Sequence, residues 1–212
     1  MIKWKYSPPA FVKMLFPEFR WNTANGKILV TFDDGPVAGN TEKILKLLDE
    51  YKVKCLFFVV GNNLKQNPEL TREILSEGHQ IGCHMMNHEI ITKMKPGEIS
   101  ENINSVKNLC RELLGVEINY FRPPHGRFDL RTNRLLNSLG LTNVMWSLIT
   151  YDFTNDFSQV KYSIDKYLRK NSIVVFHDSL KSSEIITDSL KYLFDKAAEN
   201  GMKIGEPAEC LK

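Results

Sequence analysis

Two adjacent carboxylates, Asp33 and Asp34, end the apolar run in ILVTFDDGP. Neither has a basic neighbour in sequence, and like charges side by side disfavour joint ionisation unless a cation or solvent separates them. The plain alternative is a solvated turn that begins on Asp, a common use of such residues. His84 and His88, in GCHMMNH, stand four positions apart. If the segment turns helical, both imidazoles project from one face and can grip one metal ion. Alone the pair is weak evidence, because H-x-x-x-H arises by chance on surfaces and in cores. A carboxylate from the Asp33-Asp34 pair would complete a His-His-Asp facial set with positions open to water and substrate, as catalytic metals require. A divalent cation would then neutralise one aspartate and leave the other free to act on water.

The elements that must position these groups follow from apolar periodicity. Short β-branched or aromatic runs recur at 27–32, 55–60, 80–83, 119–121, 142–146, 172–176 and 202–204, and read as strands buried on both faces. Between most of them lie helical patterns, such as Ile44, Leu47, Leu48 and Tyr51, or Ile99, Ile103, Val106 and Cys110. Asn67-Pro68 marks a helix start, and Gly78, Gly115, Gly140 and Gly201 mark helix ends. Strands alternating with helices imply a parallel sheet, either an open doubly wound sheet or a closed barrel. Asp33 and Asp34 follow the first strand, His84 the third, Arg122 the fourth, Asp152 the fifth and His177 the sixth. Polar groups collected after strands are the arrangement from which α/β barrels build sites.

The 212 residues suit a single domain, and 42% hydrophobic with 25% charged residues is ordinary globular composition. A net charge of +3 with dispersed Lys and Arg gives no reason to expect nucleic acid as a partner. No run approaches the roughly eighteen apolar residues of a membrane span, and the N-terminal segment has no continuous apolar signal region, so a cytoplasmic protein without stable membrane insertion is expected. That segment carries Trp4, Tyr6, Phe11, Phe16, Phe19 and Trp21. Packing of residues 1–26 as an arm across a domain formed by 27–212 is the preferred reading, with a membrane-surface role as the alternative. Cys55, Cys83, Cys110 and Cys210 are too widely spaced for a zinc ribbon or a disulfide framework and fit reduced core thiols.

TFDDGP, the His84 to His88 segment, RPPHG (122–126) and VVFHD (174–178), in that order, resemble the NodB-type polysaccharide deacetylases, carbohydrate esterase family 4. The resemblance covers nearly all of the chain after residue 26. It implies a distorted (β/α)7 barrel that removes acetyl groups from N-acetylated sugars. It also implies one divalent metal, zinc first and cobalt, nickel or manganese as alternatives, held by Asp34, His84 and His88. Asp33 would be the general base, Arg122 its positioning partner, and His177 the general acid. The backbone N–H at position 125 would face the developing oxyanion. Pro124, His125 and Phe153 would border the substrate, while His79, Trp146 and Phe176 read as structural.

Four departures from the family pattern stand out. Met85 replaces a hydroxyl residue that would brace the metal loop, and His125 stands where tyrosine is frequent. In WSLITYDF, Ile149 occupies the place of an aspartate expected to orient the catalytic histidine, with Asp152 retained as a candidate substitute and Phe153 in place of tryptophan. Cys83 precedes His84 where asparagine is usual, and burial rather than ligation is expected of it. Ile149 and Met85 motivate a second reading, a metal-retaining carbohydrate-binding protein with weak or no catalysis. A third, an amidase for a non-sugar substrate on the same barrel, is disfavoured by the His-His-Asp set.

Overall fold

A computed structural model describes residues 5–212, so Trp4 lies outside the described residues. In chain order the elements are α1 (Ala10–Leu15), β1 (Leu29–Asp33), α2 (Thr41–Glu50), β2 (Leu56–Val59), α3 (Gly61–Gln66), α4 (Pro68–Ser76), β3 (Gln80–Cys83) and α5 (Pro96–Leu114). There follow β4 (Tyr120–Phe121), α6 (Thr132–Ser138), β5 (Thr142–Asn143), β6 (Leu148–Ile149), α7 (Phe157–Tyr167), β7 (Ile173–His177), α8 (Ile186–Glu199) and α9 (Pro207–Cys210). The strands form one parallel sheet in the order β5-β4-β3-β2-β1-β7-β6. The sheet curls into a distorted (β/α)7 half-barrel.

Alternation along each strand divides the core in two. Val30, Phe32, Phe57, Val59, Val174 and Phe176 pack under the helices against Ile44, Leu48, Ile103, Val106 and Leu190. Leu29, Leu56, Phe58, Ile173 and Val175 face the other way, onto Val12, Phe19, Trp21, Val144 and Trp146. Both faces are therefore buried, which is why the strands read as unbroken apolar runs.

Two expected strands differ. The run 142–146 pairs only at Thr142–Asn143, and a separate strand forms at Leu148–Ile149. Between them the carbonyls of Val144 and Met145 accept from the Arg122 guanidinium, Nε at 2.9 Å and Nη2 at 2.9 Å, and so are spent on a side chain. The run 202–204 makes a single bridge, Ile28 to Ile204, because Pro207 starts α9 before a ladder can extend. As a result Asp152 follows the sixth strand, and His177 ends the seventh rather than following the sixth.

A half-barrel has two edges, here β5 and β6, and an open edge presents unpaired backbone groups. Residues 5–23 cover both. Arg20 N–H donates to Asn143 O at 2.9 Å and Met145 N–H donates to Arg20 O at 2.9 Å, extending the β5 side. On the other side Ile149 N–H donates to Tyr6 O at 2.9 Å. Aromatic contacts hold the segment down: Tyr6 packs on Tyr151, Tyr162 and Tyr167 with centroids 5.1–5.5 Å apart, and Phe16, Phe19 and Trp21 surround Phe128 at 4.8–5.8 Å. Among the described residues no helix is long and apolar enough to cross a membrane.

Trp21 is buried and its Nε1 donates to Phe16 O, whereas Met14 on the same segment is exposed. Trp21→Ala is expected to lower the unfolding free energy by about 3–5 kcal/mol, as large-to-small core changes do. Met14→Ser should stay within about 0.5 kcal/mol. Urea unfolding of both variants checks this; equally small effects would show that the segment folds apart from the barrel.

Candidate metal centre and active site

Parallel register brings the strand ends level, with Asp33 at the end of β1 opposite His177 at the end of β7. The next residue, Asp34, adopts a left-handed backbone (φ 77°) that turns it out of the strand. There it meets His84 and His88: one ligand atom from each of the three lies within 4.8 Å of the others. Asp34 Oδ1 is 3.6 Å from His84 Nε2 and 3.2 Å from His88 Nε2.

Three observations fit this set to a divalent cation. Asp34 Oδ1 is buried without a hydrogen-bond partner, so the site holds an acceptor that the protein leaves unsatisfied. His84 Nδ1 lies 2.7 Å from Arg122 O, and since a carbonyl can only accept, Nδ1 carries the proton and Nε2 offers a lone pair. Burial pushes the His84 imidazole down to about 3, against the pull of Asp34, so the ring is neutral as a ligand must be.

The histidine pair does not arise as the sequence suggests. Residues 84–90 form no helix; left-handed residues at Met85 (φ 65°) and His88 (φ 61°) fold a loop that delivers both rings. The missing hydroxyl at Met85 is made good by other bonds. Gly61 N–H donates to Met85 O at 2.9 Å, and Met86 N–H donates to Asn102 Oδ1, whose amide in turn donates to Glu89. The Met85 side chain itself is fully buried in the helix-side core, as is Cys83, whose thiol burial pushes up to about 12.

Asp33 lies beside this set and is engaged differently. Arg122, fully buried, donates from Nη1 to Asp33 Oδ1 at 2.7 Å and to Thr31 Oγ1 at 2.7 Å. With the two carbonyls of the 144–145 segment, the guanidinium makes four hydrogen bonds, and its plane stacks on Phe58 at 4.1 Å. A charge-assisted, hydrogen-bonded contact of this kind fixes where the carboxylate points.

His177 is tethered, contrary to the expectation raised by Ile149. Asp152 Oδ1 lies 2.8 Å from His177 Nδ1, and Asp152 Oδ2 accepts from the His177 backbone N–H at 2.7 Å. Asp152 reaches that place because Tyr151 takes a left-handed conformation (φ 64°) before a short 3-10 turn over 152–154. Ile149, at the position of the expected tether, instead packs among the apolar residues of the inner face. Burial works to lower the His177 pKa, but the charge and hydrogen bond of Asp152, with Asp34 and Asp33 behind, raise it to about 9. The Phe153 ring stands edge-on against His177 at 4.8 Å.

Asp33, Asp34, His84, His88 and His177 open into one cleft of about 680 Å³. His125 and Phe153 line it, and so does Trp146, whose bulk leaves no room for a side chain at Gly126. Pro124 does not: it is buried behind its loop and shapes the wall from the rear. His125, with a left-handed backbone (φ 57°), sets its ring 4.4 Å from His88. Residues of the N-terminal segment, Lys5 and Phe11 among them, also line the cleft.

Asp178 is a site residue that the motif contained without revealing its use. It is fully buried, accepts from Asn40 Nδ2 at 2.9 Å and Thr41 Oγ1 at 2.5 Å, and donates its N–H to Asp33 O at 2.8 Å. A side chain at Gly35 would fall onto its carboxylate. Burial raises its pKa to about 7, against those two hydrogen bonds. Asp178 thereby clamps the loop that presents Asp33 and Asp34. Gly35 after Asp34 could have suggested a close approach of the backbone, but not its partner.

A family model described as polysaccharide deacetylase matches residues 21–144. The chain is 31% identical over 182 residues to the peptidoglycan-N-acetylglucosamine deacetylase PgdA of Listeria monocytogenes, covering 85% of this chain and 38% of that protein. It is 31% identical over 175 residues to the peptidoglycan-N-acetylmuramic acid deacetylase PdaA of Bacillus subtilis, covering 80% and 66%. The chain thus spans less than two thirds of either relative. The crystal structure of the Bc1960 peptidoglycan N-acetylglucosamine deacetylase superposes with a TM-score of 0.88, covering 96% of this chain and 97% of that one at 22% identity, which speaks to the fold. Because the family model spans more than half of its residues, the chain belongs to the polysaccharide deacetylases, carbohydrate esterase family 4.

Proposed function

We propose that this protein is a divalent-metal-dependent hydrolase that removes acetyl groups from N-acetylated sugars. The observation that carries the reading is the division of labour between two neighbouring carboxylates, Asp34 turned to two histidines and Asp33 held by a buried arginine. The names of the relatives support an N-acetylated sugar as the substrate class.

When bound by Asp34, His84 and His88, a divalent cation such as zinc would supply Lewis acidity, polarising an amide carbonyl and acidifying water. Asp33 accepts the proton released as water attacks, and its contact with Arg122 orients it for that task. The N–H of His125 serves as a backbone donor to the oxyanion that develops. His177, protonated and positioned by Asp152, gives its proton to the sugar nitrogen as the C–N bond breaks, so that acetate and a free amine leave. Phe153 shields that proton from bulk water. The alternative, a metal-retaining carbohydrate binder with weak or no catalysis, is motivated by Ile149 and Met85; the Asp152–His177 contact supports the catalytic reading over it. A cytoplasmic location belongs to the proposal and is supported by four free, buried thiols.

Acetate release from N-acetylglucosamine oligomers, with zinc or cobalt added, should fall at least about a hundredfold in Asp33→Asn. Metal content should not change, and parent-like turnover would sink the base assignment. An acid must hold its proton to act, so activity should be lost as pH rises through the His177 pKa of about 9. Asp152→Asn removes the raising charge and should move that alkaline limb down, towards the ordinary histidine value of about 6.5. A pH–rate profile with an unmoved limb would exclude His177 as the donor. In calorimetric titration with cobalt, His88→Ala should bind more than about tenfold more weakly, whereas His125→Ala should bind as the parent does. Equal losses in both would redraw the ligand set.

A further inference from the structure

Of the seven large apolar side chains most exposed among the described residues, Tyr51 and Tyr162 lie at the end of α2 and on α7, and the other five belong to α1 or stand close in sequence to cleft residues. Phe11 (47% exposed), Met14 (78%) and Leu15 (68%) belong to α1, and Leu180 (72%) adjoins the cleft residue Lys181. Leu130, two positions past the cleft residue Phe128, is a fifth. Monomeric proteins rarely gather exposed apolar groups in this way without a partner.

The exposure of α1 does not come from loose attachment. Its Val12 is buried, and the adjoining Phe16 stacks on Phe19 at 5.3 Å. Phe11, Met14 and Leu15 stand at i, i+3 and i+4, which gathers them on one face, and the backbone bonds that cover the sheet edges hold the segment in place. Phe11 and Leu15 line the cleft directly.

Chemistry chooses the occupant. Sugars bind on flat aromatic faces, whereas most of this surface is aliphatic Met and Leu, which suits hydrocarbon. The charge around it is positive: Lys5, Arg127 and Lys181 line the same mouth. Asp33 is engaged by Arg122 and nearby Asp129 by Arg131 at 2.6 Å, while Asp34 faces the two histidines on the floor of the cleft rather than the lysines at its mouth. Apolar side chains rimmed by unopposed cations complement an anionic lipid surface.

We propose that the cleft mouth is a docking face for an anionic membrane, with Phe11, Met14, Leu15 and Leu180 seated among the headgroups and Lys5, Arg127 and Lys181 set against lipid phosphates. The cleft then opens towards the bilayer. This attachment is peripheral, and its residues rim the same cleft that holds the proposed catalytic groups.

Co-sedimentation of the full chain with vesicles tests it. Binding is expected to vesicles of equal parts phosphatidylcholine and phosphatidylglycerol, and to be at least about tenfold weaker with phosphatidylcholine alone. Phe11→Ser/Leu15→Ser should lower the partition by about tenfold or more, with an unchanged circular dichroism spectrum. Lys5→Glu/Lys181→Glu should do the same through charge. Absence of binding to the anionic vesicles overturns the proposal, as does binding that the Phe11→Ser/Leu15→Ser protein retains in full. A dimer seen by light scattering and split by that double variant would also overturn it, by making a second copy the occupant.

Discussion

The buried contact between Arg122 and Asp33 is the constraint around which the rest of the structure is arranged. Stripping water from a guanidinium and a carboxylate is costly, and only a full set of hydrogen bonds makes such a pair tolerable inside a protein. Arg122 obtains that set from Asp33, Thr31 and two carbonyls of residues 144–145, with Phe58 beneath its plane. The arrangement shapes the fold in turn. It ends β5 after two residues, since the carbonyls that would continue the ladder face inward. It also reaches the metal set from behind, because the carbonyl of the same Arg122 fixes the tautomer of His84. One residue therefore orients the base with its side chain and a metal ligand with its backbone.

Around this anchor the site is assembled from backbone conformations that L-residues seldom adopt. Asp34, Met85, His88, His125 and Tyr151 all have positive φ, and each belongs to a segment that carries a functional group. Such residues cost free energy and persist where their surroundings over-determine them. Here the surroundings can be named. Asn63 Nδ2 holds Asp34 O at 2.6 Å, Asp178 braces the loop at Gly35, and Asn102 with Glu89 fixes the segment between the histidines.

Much of this was legible in the residues. Apolar runs located β1, β2, β3, β4 and β7 to within a residue or two, and the motifs marked Asp33, Asp34, His84, His88, Arg122 and His177 as neighbours. What escaped did so for physical reasons. The helical spacing of His84 and His88 was a coincidence of a loop, since nothing in Met or His announces a left-handed backbone. Ile149 looked like the loss of a tether because strand and turn geometry after residue 149 is not encoded in pattern, and the turn brings Asp152 to His177 instead. The break between β5 and β6 required knowing that a distant arginine would claim two carbonyls. The pairing of the N-terminal segment with both sheet edges depends on tertiary contacts that no local periodicity records.

That edge-covering segment carries a temporal consequence. Its partners are Asn143, Met145 and Ile149, with Asn171 bonded to Thr23 beyond them, so every hydrogen bond that docks it joins residues more than a hundred positions apart. Residues 5–23 are made well before these partners, and their sheet-edge bonds cannot all form until β6 has emerged. Contacts of such separation close slowly. The segment must therefore dock after the strands whose edges it covers, and until it does the nascent barrel carries two naked strands.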